Sequence, residues 1–157
     1  MSLRLAIITA SDTRDYDGDT AGAALKALAG ERGWEVAAHT IVPDERPLIE
    51  SALRSACDEL AADIVLTCGG TGFSPRDVTP EATLAVCDRA APGIAEAIRA
   101  RSLEVTGRAM LSRAVAGLRG QSVVINFPGS EKAVREAWGF TADQFEHAVL
   151  MLHGGGH

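Results

Sequence analysis

Three short runs of consecutive apolar residues, Leu5-Ala6-Ile7-Ile8, Ile64-Val65-Leu66 and Val123-Val124-Ile125, constrain the fold most tightly. None alternates with polar residues, so each reads as a strand covered on both faces, as in a parallel sheet between helices. Amphipathic stripes fall between them. Ala21, Ala24, Leu25 and Leu28 recur at helical spacing and stop at Gly33. Residues 34–42 read as a further strand closed by Pro43-Asp44. Ile49, Ala52, Leu53, Ala56 and Leu60 mark a second helix with Pro47 in its first turn. Thr79-Pro80-Glu81 predicts a helix start with Thr79 as its cap, and Pro92-Gly93 separates that helix from another over about 94–104. Periodicity assigns nothing to residues 106–120. Ser130 predicts the cap of a helix reaching residue 138, and Thr141 with Gln144 predicts a capping box before a last helix carrying Phe145, Ala148, Val149 and Leu152. The expected fold is a three-layer α/β/α domain with a mainly parallel sheet, one domain over residues 1–152 with a flexible tail over 153–157.

Composition bounds the function. With 46% apolar and 23% charged residues, a chain of 157 residues can bury a core unaided. The net charge of -6 argues against nucleic acid or an anionic membrane surface, both of which need clustered cations. Only Lys26 and Lys132 are lysines among the fifteen Lys and Arg residues, so phosphate binding must rely on Arg, backbone N–H groups or a metal ion. Cys57, Cys68 and Cys87 are odd in number and irregularly spaced, which suits a reducing compartment better than a disulfide or zinc framework. No apolar stretch approaches the roughly 18–20 residues that span a bilayer, and the N-terminal residues lack a signal-peptide pattern. A cytoplasmic protein is expected.

In open α/β sheets, ligands bind beyond the carboxyl ends of the strands, where the unusual residues of this chain fall. One strand runs into Gly69-Gly70-Thr71-Gly72, whose glycines allow a tight turn and whose successive N–H groups can nest an anion. The pattern is neither a P-loop nor a dinucleotide fingerprint. Arg76 and Asp77 follow. Arg76 can fork onto phosphate oxygens, whereas Asp77 would repel them unless a cation such as Mg²⁺ intervened; a solvated ion pair is the alternative. Asp44 is either a second metal-linked carboxylate on the same edge or an Asx turn after Pro43. Pro128-Gly129-Ser130 offers another anion site at a helix start. Asp12, Asp15, Asp17 and Asp19 crowd the first strand-to-helix turn, Asp19 reading as a helix cap. Cys68 reads as a buried strand-end thiol, His153 and His157 as parts of a frayed tail, and nothing marks His39 or His147 as catalytic.

The run Gly69-Gly70-Thr71-Gly72 with Pro75-Arg76-Asp77-Val78-Thr79-Pro80-Glu81-Ala82-Thr83 resembles the signature of the MogA/MoaB family of molybdenum cofactor biosynthesis, which includes the G domains of plant Cnx and animal gephyrin proteins. Ser11-Asp12, Pro43-Asp44-Glu45, Arg101-Ser102-Leu103, Met110-Leu111-Ser112-Arg113 and Asn126-Phe127-Pro128-Gly129-Ser130 extend the likeness along nearly the whole chain. The resemblance implies an adenylyltransferase that moves AMP from Mg-ATP to the terminal phosphate of molybdopterin. It further implies that Asp44 and Asp77 are the essential carboxylates and hold Mg²⁺, directly or through water. Gly69, Gly70, Thr71, Gly72 and Arg76 would hold the nucleotide, while Ser102, Ser112, Arg113, Pro128, Gly129 and Ser130 would line the molybdopterin side. A homotrimer or hexamer, and contact with the protein that inserts molybdenum, are implied in the same way. Departures are Cys68, Phe127 and Glu131, where relatives commonly carry Thr, Leu or Met, and Pro; none removes a proposed ligand. A non-catalytic molybdopterin-binding paralogue and a CinA-like nucleotide pyrophosphatase are the alternatives.

Overall fold

The apolar runs become the centre of a six-stranded sheet in a computed structural model that describes residues 1–156; His157, one of the two tail histidines, lies outside the described residues. The strands are β1 (Arg4–Ala10), β2 (Glu35–Val42), β3 (Ile64–Cys68), β4 (Arg89–Ala90), β5 (Ala116–Arg119) and β6 (Ser122–Phe127), in the order β2-β1-β3-β6-β5-β4. β2, β1, β3 and β6 run parallel, and β5 and β4 extend the sheet antiparallel. The helices are α1 (Thr20–Glu31), α2 (Arg46–Arg54), α3 (Thr79–Val86), α4 (Pro92–Leu103), α5 (Glu131–Thr141) and α6 (Phe145–Leu152). The expected three layers are present.

Side-chain alternation along the central strands divides the core in two. Leu5, Ile7, Ile64, Leu66, Val123, Ile125 and Phe127 point to one face with Leu25, Val134 and Phe145, while Ala6, Ile8, Val65 and Val124 point to the other with Ile49, Leu53 and Val86. Trp34, Trp138 and Phe145 pack with ring centroids 5.8–6.1 Å apart and close the first face. Trp34 therefore belongs to the core just before β2 rather than to the strand itself.

Buried polar groups tie the layers together. Asn126 donates through Nδ2 to Thr67 Oγ1 at 3.0 Å and Thr83 Oγ1 at 2.9 Å, and its Oδ1 accepts the Val115 N–H at 3.1 Å. One side chain thus links β6, β3, α3 and the entry to β5. Asp19 caps α1 as expected, accepting the Gly22 N–H at 3.0 Å. Its other oxygen takes the Thr9 hydroxyl and lies 2.7 Å from Nε2 of His39.

Several local expectations are corrected. Thr79 does not cap α3: Val78 holds that position, and Thr79 is the first helical residue, wholly buried. Thr141 forms no capping box, because its hydroxyl donates back to the Ala137 carbonyl at 2.7 Å within α5. The second helix widens into a π turn over Ser55–Glu59 after α2. Residues 106–120 resolve into a 3-10 turn, Gly107–Leu111, and the antiparallel β5. The expected tail starts with an ordered turn: Gly154 and Gly155 donate to the Met151 and Leu150 carbonyls, and His153 Nε2 lies 3.1 Å from the Gln121 carbonyl. No described helix is long and apolar enough to cross a membrane.

Burial pushes the Asp19 carboxyl up, but the bonds from Thr9, Gly22 and His39 together outweigh it and hold its pKa below the ordinary value. A depressed folded pKa gives stability that is present above the unfolded value and lost as pH falls through the folded one. Asp19→Ala should therefore lower the urea-unfolding free energy by about 3 kcal/mol at neutral pH. It should also flatten the acid dependence below about pH 4. An unchanged unfolding midpoint would contradict this role.

Candidate active site

The order β2-β1-β3 means that the chain steps from β1 to β2 on one side and then crosses to β3 on the other, so the strand order reverses between the parallel β1 and β3. Loops at such a point splay apart and leave a crevice. Here the crevice holds two cavities. The first, about 450 Å³, is lined by Ala10 at the end of β1 and residues 11–14 after it, Asp44 after β2, Gly69, Ser74, Arg76 and Asp77 after β3, and Gly129 after β6. All four parallel strands contribute. The second, about 470 Å³, is lined by Thr71, Gly72, Phe73, residues of α4 and the 3-10 turn including Ser102 and Arg108, and Ser112, Asn126 and Pro128. Ser74 and Asp77 line both, so the cavities meet at the turn after the Gly run.

Backbone geometry sets that turn. Gly69 and Gly70 both take left-handed conformations, at φ +88° and +71°. A Cβ on Gly69 would sit 2.7 Å from the Ala10 carbonyl oxygen, and one on Gly70 would collide with Thr79 Oγ1. The loop's carbonyls are then drawn inward. Thr79 N–H bonds Gly70 O at 3.1 Å, Arg113 N–H bonds Thr71 O at 2.8 Å, and the Arg113 guanidinium reaches Gly72 O at 2.8 Å and Asp77 O at 2.7 Å. Among the described residues no backbone acceptor takes the N–H groups of Gly70, Thr71 or Gly72. Successive unengaged N–H groups are what an anion-binding nest requires.

Arg113 plays its part from behind the site. It also forms a forked pair with Glu81, at 2.7 and 3.2 Å, and lines neither cavity. Glu81 is held below the usual carboxylate range by that guanidinium. Ser130 likewise spends its hydroxyl on the Ala133 N–H as the cap of α5 and lines neither cavity. Gly70 shapes the turn without lining either. The remaining suggested residues divide: Asp44, Gly69, Arg76 and Gly129 face the first cavity, Thr71, Gly72, Ser102, Ser112 and Pro128 the second, and Asp77 both.

The first cavity carries three carboxylates, Asp12, Asp44 and Asp77, against two guanidiniums, Arg14 and Arg76. Neither lysine lines it. Arg76 forks onto Asp12 at 2.9 and 3.0 Å, which holds the Asp12 carboxyl below its ordinary pKa, and Asp12 also accepts the Asp44 N–H at 3.0 Å. Arg14 reaches the Gly129 carbonyl at 2.6 Å and so ties the β1 loop to the β6 loop. Asp44 is the perturbed member. Burial, then the Asp12 and Asp77 carboxylates, push its pKa up, and its Oδ1 has no hydrogen-bond partner among the described residues. A half-buried carboxylate whose shielded oxygen is unpaired, beside two others, is a surrounding that a divalent cation would relieve. No trio of His, Cys, Asp or Glu converges as a finished cage among the described residues. Mg²⁺ needs only one or two carboxylates together with waters and substrate phosphates, and Asp44 and Asp77 are the carboxylates that could supply them.

Sequence reading missed Asp12 and Arg14 as site residues, and its ion-pair alternative joined Arg76 to Asp77; Arg76 pairs with Asp12 instead, a contact that spans 64 positions. The crowding of charge in residues 12–19 was the available signal. Cys68 is wholly buried, with its thiol pushed up to about 12 by burial, and offers no nucleophile.

Comparison with known proteins identifies the family. Residues 6–147 match the family described as a probable molybdopterin binding domain. A molybdopterin adenylyltransferase of Helicobacter pylori strain J99 is 40% identical over 157 residues, covering 98% of this chain and 89% of that protein. The molybdenum cofactor synthesis protein cinnamon of Drosophila melanogaster is 39% identical over 155 residues, covering 96% of this chain; the chain spans only 26% of the fly protein. The crystal structure of the molybdopterin biosynthesis enzyme MoaB from Thermus thermophilus superposes with a TM-score of 0.88 at 41% identity, with 97% of each chain covered. By sequence and by fold, this chain belongs to the MogA/MoaB-like molybdopterin-binding family of molybdenum cofactor biosynthesis.

Proposed function

We propose that this protein is a molybdopterin adenylyltransferase that takes ATP in the first cavity and the pterin in the second. The observation that carries the reading is their junction at Ser74 and Asp77, where an α-phosphate and a pterin phosphate can meet. A phosphate oxygen of the pterin attacks the α-phosphorus, a new P–O–P link forms, the bond to the β-phosphate breaks, and pyrophosphate leaves. The attacking phosphate is already anionic at neutral pH, so no general base is needed. What the protein must supply is in-line placement and charge balance.

Each residue group has a defined task. The nest over residues 70–72 binds phosphate oxygens through the backbone. Arg76 and Arg14 stand at the first cavity and exchange protein acceptors for phosphate when substrate enters. Asp44 and Asp77 would hold Mg²⁺, directly or through water, and the ion when bound supplies the positive charge that a cavity with more carboxylates than guanidiniums lacks. Ser102, Ser112 and Arg108 face the second cavity and offer donors to the pterin and its phosphate. Arg113 keeps the Gly turn in shape. A homotrimer or hexamer belongs to the same proposal. The apolar groove of about 560 Å³ lined by Ile94, Ala97, Phe140, Ala148 and Met151 offers a surface for it, and contact with the molybdenum-inserting partner is part of it too.

Asp77→Asn should cut AMP transfer by roughly 100-fold or more while leaving molybdopterin binding in place. An unaffected rate would contradict the assignment. Pyrophosphate should appear from ATP only when molybdopterin and Mg²⁺ are both present; release without the pterin would indicate hydrolysis instead. Arg113→Lys cannot reproduce the fork onto two carbonyls and Glu81, so its KM for ATP should rise about tenfold, equivalent to one lost hydrogen bond. Faster amide exchange over residues 70–77 should accompany that rise. An unchanged KM with unchanged exchange would show that Arg113 does not hold the Gly turn.

A further inference from the structure

Two buried side-chain atoms among the described residues have no hydrogen-bond partner, Asp44 Oδ1 and Thr79 Oγ1. They are neighbours. A Cβ built on Gly70 would collide with Thr79 Oγ1 and lie 3.1 Å from Asp44 Oδ1, so both oxygens crowd the same point above the Gly turn. Thr79 is 0% exposed, and its N–H already holds Gly70 in place at 3.1 Å.

A buried hydroxyl without a partner is costly, and packing alone would be met as well by valine, whose shape is the same. The hydroxyl does no helix capping either, since Thr79 lies inside α3 and its Oγ1 bonds nothing. What distinguishes Thr from Val here is a rotatable O–H beside a carboxylate that lines the first cavity. We infer that Thr79 is a positioning residue for Asp44, its hydroxyl donating to Oδ1 and fixing the carboxylate toward the first cavity when a divalent cation and nucleotide phosphates are bound there. Gly70 acquires a second task in this arrangement. Lacking a Cβ, it leaves open the lane through which the two oxygens approach, in addition to making the turn. The inference rests on the proposed nucleotide site but not on the pterin step.

The test uses the full chain without molybdopterin, so that nothing turns over. Mn²⁺ binding in the presence of ATP is followed by the electron paramagnetic resonance of free Mn²⁺, for wild type, Thr79→Val and Thr79→Ser. Thr79→Val should weaken Mn²⁺–ATP binding about tenfold, the usual scale for an outer partner of a metal ligand. Thr79→Ser, which keeps the hydroxyl, should stay within about twofold on the same scale. Both should melt close to wild type. In the Asp44→Ala background, Thr79→Val should have no further effect, because a positioning residue acts only through what it positions. If Thr79→Val fails to fold, Thr79→Ala is read against Thr79→Ser in the same way. Wild-type affinity in Thr79→Val, equal losses in the Val and Ser variants, an additive loss beside Asp44→Ala, or no Mn²⁺–ATP binding by wild type would each overturn the inference. Wild type that binds Mn²⁺–ATP but transfers no AMP to molybdopterin would overturn the proposed reaction and leave the Thr79 comparison standing.

Discussion

The cleft depends on how the backbone leaves β3. Two successive left-handed residues turn the chain so that Gly69 nearly touches the end of β1, while Gly70 passes over Thr79 and Asp44. Any side chain at either position would be strained by its φ and would strike a neighbour. Once the turn is made, Arg113 and Thr79 bind the carbonyls from behind. The N–H groups of residues 70–72 are left without backbone acceptors, and the loop becomes a donor surface in a chain whose two lysines lie elsewhere.

The loops around it are held from below by buried polar groups. Asp19 links the β1-to-α1 turn to β1 through Thr9 and to β2 through His39. Asn126 fastens the end of β6 to β3 and α3. Such networks are stabilising only when every member is satisfied, which confines the unpaired atoms to the site itself. Asn126 is bonded through both ends of its amide, whereas Asp44 Oδ1 and Thr79 Oγ1 have no hydrogen-bond partner among the described residues.

The layering was legible because Leu5, Ile64 and Val123 begin apolar runs with no polar interruption, and few folds bury such strands on both faces. The Gly run with Arg76 and Asp77 could be read as a candidate anion site on chemical grounds, and the structure gathers those residues around one crevice. Other features were not. β4 has two residues and β5 four, the latter including Gly117, too few to show a period. Thr79 before Pro80 carries every local mark of a cap, and only the tertiary packing of Asp44 and Gly70 turns it inward. The grip of Arg113 on Gly72 spans 41 positions, and the fork of Arg76 on Asp12 spans 64. Contacts at such separations leave no periodic trace in the chain.

The proposed reaction turns on a divalent cation shared by Asp44 and Asp77, which would offset the carboxylates of the first cavity and let a phosphate chain reach its junction with the second, where Thr71 and Gly72 stand. Crystals grown with Mn²⁺ and a non-hydrolysable ATP analogue test it directly through the anomalous signal of manganese. One strong peak is expected between the Asp44 and Asp77 carboxylates and the phosphate chain, with the phosphates running toward the junction of the two cavities at Ser74 and Asp77. A nucleotide bound in another place, or in this cavity with no metal peak near either aspartate, would contradict it.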